Sequence, residues 1–332
     1  MRALVVGATS WGCTLALQLG RAGTEVDILC RSMEEATDLA RTRENRRLLP
    51  GIILPESINF VVEATPSDLV ILAVPAQHLR TNLRAVLPGL AKLAPIVSAA
   101  KGLEVETRLR MSQVVEEELH AAGVTAPIAA ISGPNLAREI ATGQPATTVV
   151  ASADAETAAM LQAALMTASF RVYTNPDLIG VELAGALKNV VAIGVGIGDA
   201  LNAGENGRAA FLTRGLAEIA RLGVALGANP LTFTGLAGLG DLIATAASPR
   251  SRNRSVGVEL GRGRPLDEIL ASMVHVAEGV PTTRAACRLA ADHGVDMPIA
   301  QTMHRVLFDG LSPARAVQEL MTRDPQAETS GL

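Results

Sequence analysis

Two patterns of apolar and polar positions divide the chain. Up to Thr174, short runs rich in Val, Ile, Leu and Ala alternate with helical stretches, which is typical of a parallel sheet covered by helices on both faces. From Asp177 onward the β-type runs stop and one helical pattern follows another. The sequence therefore predicts an α/β protein, with a mainly parallel sheet domain over residues 1–176 and an all-helical domain over residues 177–332.

Eight short apolar runs are predicted to be strands. One connection is unusual, because only Glu63–Asp68 separate the third run from the fourth, whereas a crossover between parallel strands takes about a dozen residues. We therefore expect either a reduced edge strand or no strand at Asn59–Val62. The eight runs are Ala3–Val6, Glu25–Cys30, Asn59–Val62, Leu69–Val74, Ile96–Ala99, Ile128–Ile131, Thr147–Val150 and Phe170–Tyr173.

The second half of the chain shows helical periodicity between turn signals at residues 227–230 and 248–249. Small residues are frequent in these helices, which could pack within one chain or across a homodimer. The predicted helices are Ile179–Ala203, Arg208–Leu226, Leu266–Met273, Thr282–His293, Ala300–Phe308 and Pro313–Leu320.

The first of these helices holds a lysine in an apolar setting. Between Val181 and Gly198 the only polar side chains are Glu182, Lys188 and Asn189, and a helix that is apolar all round is expected to be buried. No carboxylate lies three or four residues from Lys188. A buried lysine has a lowered pKa that suits proton transfer. The alternative is an ammonium group that reaches the surface or pairs with a remote carboxylate.

Composition excludes several classes of protein. The 332 residues are 48% apolar and 19% charged, as in a globular protein with substantial cores. A net charge of −4 and an aromatic content of 2% argue against a nucleic-acid partner. Without a leader-like segment or a long uncharged apolar run, the sequence predicts a cytoplasmic protein with no membrane span.

Cysteine and histidine spacing predicts neither a disulfide framework nor a metal site. The three cysteines are an odd number and show no Cys-x-x-Cys spacing. The five histidines share no spacing that is typical of metal ligands. These residues are Cys13, Cys30, Cys287, His78, His120, His275, His293 and His304.

A glycine-containing turn follows the first predicted strand. Gly7 and Gly12 bracket a strand–helix junction, and a second strand follows the helix, which is the context of a dinucleotide fingerprint. Thr9 stands at the position of the second fingerprint glycine. The helix N-terminus can bind a pyrophosphate, so the turn predicts a dinucleotide site. The alternative is an ordinary strand–helix turn.

The residues after the second strand indicate the cofactor. Arg31 stands where NAD-binding proteins carry an acidic residue, and a guanidinium suits the 2′-phosphate of NADP. Asp27 lies inside the strand and is poorly placed for the ribose. NADP is therefore favoured, with NAD also accepted, unless Arg31 is only a solvated loop residue. Lys101 follows another strand, at the sheet edge where such folds bind ligands, and is a candidate for the substrate pocket.

Nine short motifs occur in a characteristic order along the chain. They are Gly7–Gly12, Ala99–Glu104, Ile131–Pro134, Phe170–Tyr173 with Asn175–Asp177, Leu187–Asn189, Thr213–Gly215, Gly238–Leu242, Ser251–Arg254 and Val276–Gly279. Together they resemble the bacterial NAD(P)H-dependent glycerol-3-phosphate dehydrogenases over nearly the whole chain. The resemblance implies a Rossmann-like domain followed by an all-helical domain, in agreement with the apolar pattern.

The resemblance also implies a reaction. Members of this family reduce dihydroxyacetone phosphate reversibly to sn-glycerol 3-phosphate, a precursor of glycerophospholipids. By residue matching, Lys188 would donate the proton to the C2 oxygen and accept it in reverse. Lys101 would lie near the same oxygen, while Asp241 and Asn189 would orient the lysines. Thr245 is a further candidate for this role.

The matched motifs assign binding residues as well. Arg252, Ser251 and Asn253 would hold the substrate phosphate, although their own residue types favour a solvated basic loop at Pro249–Arg254. The substrate set is Lys101, Gly133, Asn135, Lys188, Asp241, Ser251, Arg252 and Asn253. The cofactor set is Gly7, Ser10, Trp11, Gly12, Arg31, Lys101, Ala137, Arg252, Val276 and Glu278.

The chain departs from the family pattern outside the proposed catalytic residues. The departures are Thr9 in the fingerprint, Ala100, Asn135, the stretch Ala200–Ala203, and the short link Glu63–Asp68.

Two other functions are compatible with the sequence. One is a related two-domain reductase that acts on another small 2-keto or 2-hydroxy compound. The second is a non-catalytic NADP-binding sensor, whose helical half would serve as an interaction surface. Arg252 favours a phosphorylated substrate over the first, and the lysine in an apolar helix argues against the second.

Overall fold

The structure is a computed structural model that describes residues 1–90, 94–325 and 327–328. The chain forms two compact units. The first contains Met1–Ala100 and Met111–Leu178, and the second contains Lys101–Arg110 and Ile179–Leu332. The predicted boundary between residues 176 and 177 lies close to the passage from one unit to the other at residue 178. The ten residues from Lys101, inside the predicted first domain, group with the second unit.

The first unit is built on an eight-stranded sheet. All eight predicted strands are present, and their ends differ from the predicted ones by two residues at most. Every neighbouring pair is parallel except β6 and β7, which are antiparallel. The strands are β1 (Arg2–Val6), β2 (Glu25–Leu29), β3 (Ile58–Val61), β4 (Leu69–Leu72), β5 (Ile96–Ser98), β6 (Ile128–Ser132), β7 (Ala146–Ala151) and β8 (Phe170–Asn175).

The strand order places a switch point beside β1. The order across the sheet is β3-β2-β1-β4-β5-β6-β7-β8, so the chain proceeds in one direction from β1 to β3 and in the other from β4. Open parallel sheets bind ligands at the carboxyl ends of the strands at such a point. The helices of this unit are α1 (Ser10–Arg21), α2 (Met33–Thr42), α3 (Ala76–Val86), α4 (Met111–Ala121), α5 (Ala137–Ala141) and α6 (Ala155–Leu165).

The doubtful third strand is a reduced edge strand, the first of the two expected outcomes. β3 has four residues and pairs only with β2 among the described strands. The short link after it is fastened by the buried carboxylate of Asp27, which accepts from Thr65 Oγ1 at 2.7 Å and from Asn59 Nδ2 at 3.1 Å. Asp27 also accepts from Arg2 Nε at 2.8 Å. Asp27 is thus bonded to three side chains beside the sheet, which agrees with its poor placement as a ribose ligand.

The second unit is helical, as predicted. Ten elements follow one another: α7 (Leu178–Ala200), α8 (Gly204–Ala225), α9 (Pro230–Thr234), the π-helix Leu236–Gly240, α10 (Asp241–Ala247), α11 (Arg252–Gly261), α12 (Leu266–Ala271), α13 (Gly279–Asp292), α14 (Pro298–Phe308) and α15 (Pro313–Met321). The fold class expected from the sequence, a Rossmann-like mainly parallel sheet followed by an all-helical part, is confirmed.

The expectation of a loop at Pro249–Arg254 is wrong from Arg252 onward, where α11 begins. The hydroxyl of Ser251 accepts from Arg254 N and caps this helix. Ser251 and Asn253 are buried. Two glycines and a polar first turn give this stretch little apolar periodicity, so the helix was not predicted.

The apolar helix α7 forms the core of the second unit. By length and composition it is the one helix among the described residues that could cross a membrane, but 83% of its most apolar window is buried within the protein. Gly196 and Gly257 let α7 and α11 approach closely. A Cβ on Gly196 would lie 2.0 Å from Arg254 O, and one on Gly257 would lie 1.9 Å from Ile193 O. Close helix packing therefore accounts for Gly196 of α7.

A buried glutamate joins α8 to the start of α14. Glu218 is 5% exposed and accepts from the backbone N–H groups of Ile299 at 2.7 Å and Ala300 at 3.3 Å. A carboxylate at a helix N-terminus is stabilised by the unpaired N–H groups and by the helix dipole.

Candidate functional site

The second unit contains a buried cluster of one carboxylate and two ammonium groups. Lys188 Nζ donates to Asp241 Oδ1 at 2.7 Å, and Lys101 Nζ donates to Asp241 Oδ2 at 2.8 Å. Lys188 is 6% exposed and Asp241 is 1% exposed. No carboxylate lies three or four residues from Lys188 on α7, and Asp241 of α10 supplies the partner. Lys188 is thus buried, as one interpretation expected, and paired with a remote carboxylate, as the other expected. Its role in proton transfer stays a prediction.

Thr245 completes the surroundings of the Lys188 ammonium. Asp241 and Thr245 are four residues apart on α10, so both side chains lie on one face of that helix. The Thr245 hydroxyl accepts from Lys188 Nζ and donates to Asp241 Oδ1 at 3.2 Å. Of the three orienting residues that the resemblance implied, Asp241 and Thr245 contact the Lys188 ammonium, and Asn189 donates to the Lys101 carbonyl.

Asn189 connects the cluster to two other helices. Its Nδ2 donates to the Lys101 carbonyl at 3.1 Å, and its Oδ1 accepts from Asn253 Nδ2 at 2.8 Å. Asn253 Oδ1 in turn accepts from Gly279 N at 2.9 Å. The two asparagines therefore fix the Lys101 backbone, α11 and the start of α13 relative to α7.

The segment that carries Lys101 is anchored by residues that the sequence interpretation missed. Arg110 forms an ion pair with Glu182 of α7 at 2.6 Å, and a backbone bridge joins Leu103 to Arg110. Leu103 is fully buried in the helical core. Glu182 is the sequence feature that could have indicated this ion pair, because it is a charged residue in a mainly apolar helix.

Burial and neighbouring charges set the protonation of the cluster. Burial lowers the pKa of Lys188 to about 8; Asp241 opposes this effect, while Lys101 and Arg252 add to it. Burial alone would raise the pKa of Asp241, but the two ammonium groups hold that pKa below its usual range. Asp241 is therefore ionised at neutral pH, and Lys188 is an acid that can transfer its proton near physiological pH.

Arg252 is the first residue of α11 and its side chain is exposed. Its charge is close enough to lower the pKa of Lys188 after the larger effect of burial. The guanidinium and the N-terminus of α11 favour an anion on the same side of the cluster. Of the other two predicted phosphate residues, Ser251 caps the helix and Asn253 serves the asparagine network. Val276 is exposed, and Glu278 directly precedes α13.

The glycine turn of the first unit has the geometry of a phosphate-binding turn. Gly7 has φ +105°, and a Cβ on it would lie 2.8 Å from Val74 Cγ1. A Cβ on Gly12 would lie 2.1 Å from Gly7 O. Thr9 caps α1 through its hydroxyl, which accepts from Gly12 N at 2.9 Å and donates to Ala73 O at 2.8 Å. The threonine hydroxyl is thus used within the turn.

The start of α1 suits a bound pyrophosphate. The N–H groups of Ser10 and Trp11 lie in the first turn of α1, where no carbonyl of the same helix is placed to accept from them. This first turn contains no acidic residue. The buried Nε1 of Trp11 has no hydrogen-bond partner within the described part of the chain. These donors fit the phosphates and polar groups of a dinucleotide.

The remaining predicted residues of the first unit lie near two strand ends. Gly133 follows β6 with φ +133°, and a Cβ on it would lie 3.3 Å from Thr148 Cα. Asn135 Nδ2 donates to Thr148 Oγ1 at 3.0 Å, while its buried Oδ1 has no partner among the described residues. Ala137 begins α5. At the end of β2, Arg31 Nε lies 3.4 Å from Glu35 Oε1.

No group of three or more His, Cys, Asp or Glu side chains that could hold a metal ion occurs within residues 1–90, 94–325 and 327–328. The polar cluster of the second unit therefore consists of proton donors and hydrogen-bonding groups.

A parallel sheet with a phosphate-binding turn and a helical unit with a buried, charge-coupled lysine define a dinucleotide-dependent dehydrogenase. The comparisons identify the family. The chain matches the model of the NAD-dependent glycerol-3-phosphate dehydrogenase N-terminus over residues 3–158 and that of the C-terminus over residues 177–318. It belongs to the NAD-dependent glycerol-3-phosphate dehydrogenase family.

Individual relatives are similar over nearly their whole length. A glycerol-3-phosphate dehydrogenase [NAD(P)+] from Pelotomaculum thermopropionicum is 48% identical, over 96% of this chain and 92% of that protein. One of the same name from Chlorobium limicola is 45% identical, over 99% of both. The crystal structure of a glycerol-3-phosphate dehydrogenase from Coxiella burnetii superposes with a TM-score of 0.92 at 36% identity, covering 97% of this chain and 99% of that one.

Proposed function

We propose that this protein reduces dihydroxyacetone phosphate to sn-glycerol 3-phosphate with NAD(P)H, in a reversible reaction that supplies glycerophospholipid synthesis. The observation that carries the proposal is the buried Lys188, bonded to Asp241 and Thr245, in a chain of this family. Relatives at 48% and 45% identity carry the name glycerol-3-phosphate dehydrogenase [NAD(P)+].

Lys188 is the proton donor in this proposal. Reduction of a ketone leaves negative charge on the C2 oxygen, and an ammonium with a pKa of about 8 can neutralise that charge at physiological pH. The nicotinamide of the bound cofactor supplies the hydride. In the oxidation direction the neutral amine of Lys188 accepts the hydroxyl proton.

Asp241 and Lys101 control the charge around that transfer. Because one carboxylate lies between two ammonium groups, the cluster keeps a net positive charge toward the substrate oxygen. Thr245 and Asp241 fix the direction of Lys188 Nζ. Asn189 positions Lys101 through its backbone carbonyl. These four residues are thus assigned to orientation and electrostatic stabilisation.

Arg252 is assigned to the substrate phosphate. A guanidinium binds a phosphate through two parallel hydrogen bonds, and the N-terminus of α11 adds a favourable dipole. Ser251 and Asn253 contribute chiefly by fixing the start of α11, while Ser251 keeps its hydroxyl proton for an acceptor. Gly133 and Asn135 are the further substrate residues that we propose, and the buried Oδ1 of Asn135 can accept from a hydroxyl.

The cofactor is NADP by preference, with NAD accepted. The turn from Gly7 to Gly12 would hold the pyrophosphate against α1, with Trp11 Nε1 as a further donor, and Arg31 would bind the 2′-phosphate. Further residues assigned to the cofactor are Ser10, Lys101, Ala137, Arg252, Val276 and Glu278.

For the organisation of the chain we propose a cofactor domain over residues 1–176 and a substrate domain over residues 177–332, to which Lys101 is added from the first part. We further propose that the protein is cytoplasmic, in keeping with its unpaired cysteines, and that it forms a homodimer. Light scattering on the full-length protein tests the oligomeric state.

The activity is tested by following NADPH oxidation with dihydroxyacetone phosphate and identifying the product. We expect turnover that depends on that substrate and yields sn-glycerol 3-phosphate. Cofactor binding without turnover would instead favour the sensor. A preference for unphosphorylated dihydroxyacetone or another 2-keto compound would favour the related reductase and remove the assignment of Arg252.

A further inference from the structure

Arg31 at the end of β2 is held by a carboxylate. Glu35 Oε2 accepts from the Arg31 backbone N–H at 3.0 Å, and Glu35 Oε1 lies 3.4 Å from Arg31 Nε. The Arg31 side chain is 67% exposed, whereas that of Glu35 is 22% exposed. The carboxylate is thus the more buried member of the pair and the guanidinium is the more exposed one.

The first turn of α2 determines the position of Glu35. Ser32 caps this helix by accepting from Glu35 N at 3.2 Å, and Glu35 reaches back toward the preceding backbone. This arrangement resembles a capping box, in which the third helical residue is Glu or Gln. Because the capping bonds orient the carboxylate in advance, it needs no partner from solvent to stay in place.

Glu35 lies near both elements that would hold the adenosine half of a dinucleotide. Burial and then Glu35 raise the pKa of Cys30, which directly follows β2. Burial also raises the pKa of Cys13, next to Gly12, and Glu35 adds to that effect. The carboxylate is therefore within electrostatic range of the end of β2 and of the phosphate-binding turn. The ribose of a dinucleotide lies between these elements.

We propose that Glu35 determines cofactor specificity: it accepts hydrogen bonds from the adenosine ribose of NAD and restrains Arg31, which must leave it to bind the 2′-phosphate of NADP. This proposal rests on the proposed dehydrogenase function.

The two cofactors would interact with Glu35 and Arg31 in opposite ways. The 2′-hydroxyl of NAD is a donor, so it gains a charge-assisted bond from a carboxylate. The 2′-phosphate of NADP is repelled by Glu35 and attracted by Arg31. Since exposed ion pairs contribute little to stability, the restraint on Arg31 is small. The pair consequently permits both cofactors and limits the preference for NADP.

Cofactor binding to the full-length protein tests the proposal without substrate. Dissociation constants for NADPH and NADH are measured by fluorescence for the wild type, Glu35→Gln, Arg31→Gln and the control Glu34→Gln. Gln at position 35 can still serve a capping box. For Glu35→Gln we expect NADPH to bind about threefold to tenfold more tightly and NADH to bind weaker by a similar factor.

The other variants give the expected contrast. Arg31→Gln should weaken NADPH binding by about tenfold or more and leave NADH within about twofold. Glu34→Gln should change neither constant. If Glu35→Gln changes both constants equally or not at all, the proposal is overturned and Glu35 is only a capping residue. Absence of dihydroxyacetone phosphate turnover would count against the proposed function without altering these binding ratios.

Discussion

Lys188 Nζ donates to Asp241 Oδ1 over 2.7 Å, inside a helical unit where both side chains are almost fully buried. Removing one partner of a buried ion pair leaves an uncompensated charge, but here Lys101 also bonds to Asp241. Loss of Lys188 therefore leaves the carboxylate paired. The proposed proton donor can therefore be removed without leaving Asp241 unpaired.

Replacement of the proton donor should separate chemistry from binding. For Lys188→Met, which keeps most of the side-chain volume, we expect kcat to fall by about 10²–10⁴-fold because the alkoxide loses its acid. NADPH affinity and the thermal unfolding midpoint should stay near the wild-type values. Steady-state kinetics with a cofactor-binding titration measures both, and undiminished turnover would remove Lys188 from the mechanism.

The pH dependence of ketone reduction should report the pKa of Lys188. Because the acid must be protonated, kcat/KM for reduction should decline as the pH rises through about 8, and the rate of alcohol oxidation should rise over the same range.

Two variants should move this transition in opposite directions. Asp241→Asn removes a charge that raises the pKa of Lys188, so the decline should begin at lower pH. Lys101→Met removes a charge that lowers the pKa, so the decline should begin at higher pH. Profiles of kcat/KM against pH measure both shifts. Shifts of the same sign would refute the charge-coupled cluster.

The contribution of Arg252 should depend on the substrate phosphate. We expect Arg252→Gln to lower kcat/KM for dihydroxyacetone phosphate by about 10–100-fold, the effect of losing a charge-assisted hydrogen bond. Its slow rate with unphosphorylated dihydroxyacetone should change little. Arg250→Gln, two residues earlier, is the matched control. Equal losses on both substrates would show that Arg252 does not bind the phosphate.

Glu218 should make stability depend on pH. Burial raises its pKa from 4.5 to about 7, against the opposing bonds from Ile299 and Ala300. A raised pKa means that the folded state binds the proton more strongly than the unfolded state. The stabilisation that comes from protonated Glu218 is therefore complete below pH 4.5 and is lost as the pH rises to about 7. The difference is on the order of 3 kcal/mol.

The variant Glu218→Gln cannot titrate at this position. The wild type should therefore lose stability between pH 5 and pH 8 while the variant does not, so the free energy of unfolding of the variant should rise relative to that of the wild type. Urea unfolding at both pH values measures the change. Parallel pH dependence in the two proteins would exclude Glu218 as the titrating group.

The sequence predicted the sheet well because each strand is a short apolar run between turns. It predicted α7 as a buried helix because a helix that is apolar on every side has no face suited to solvent. The partners of Lys188 were beyond any local pattern. Asp241 lies 53 residues away along the chain and 140 residues from Lys101, so family resemblance supplied them and periodicity did not.

What was missed has physical causes as well. Helix α11 depends on the Ser251 cap and on packing against α7 more than on an apolar stripe. Thr9, at the position of the second fingerprint glycine, caps α1 with its hydroxyl and donates to Ala73 O. Hydrogen bonds of one side chain to distant backbone atoms leave no periodic signal in a sequence.

The close approach of α7 and α11 at Gly196 and Gly257 would limit how long a substrate can be. α7 carries the proposed proton donor Lys188, and α11 carries Arg252, the residue proposed to bind the phosphate, so main-chain contact fixes how far apart these two residues begin. A single added methyl on either glycine would separate the helices and lengthen that distance. The enzyme would thus select three-carbon phosphates with its backbone, and a change in substrate length would require new glycine positions before any new side chain.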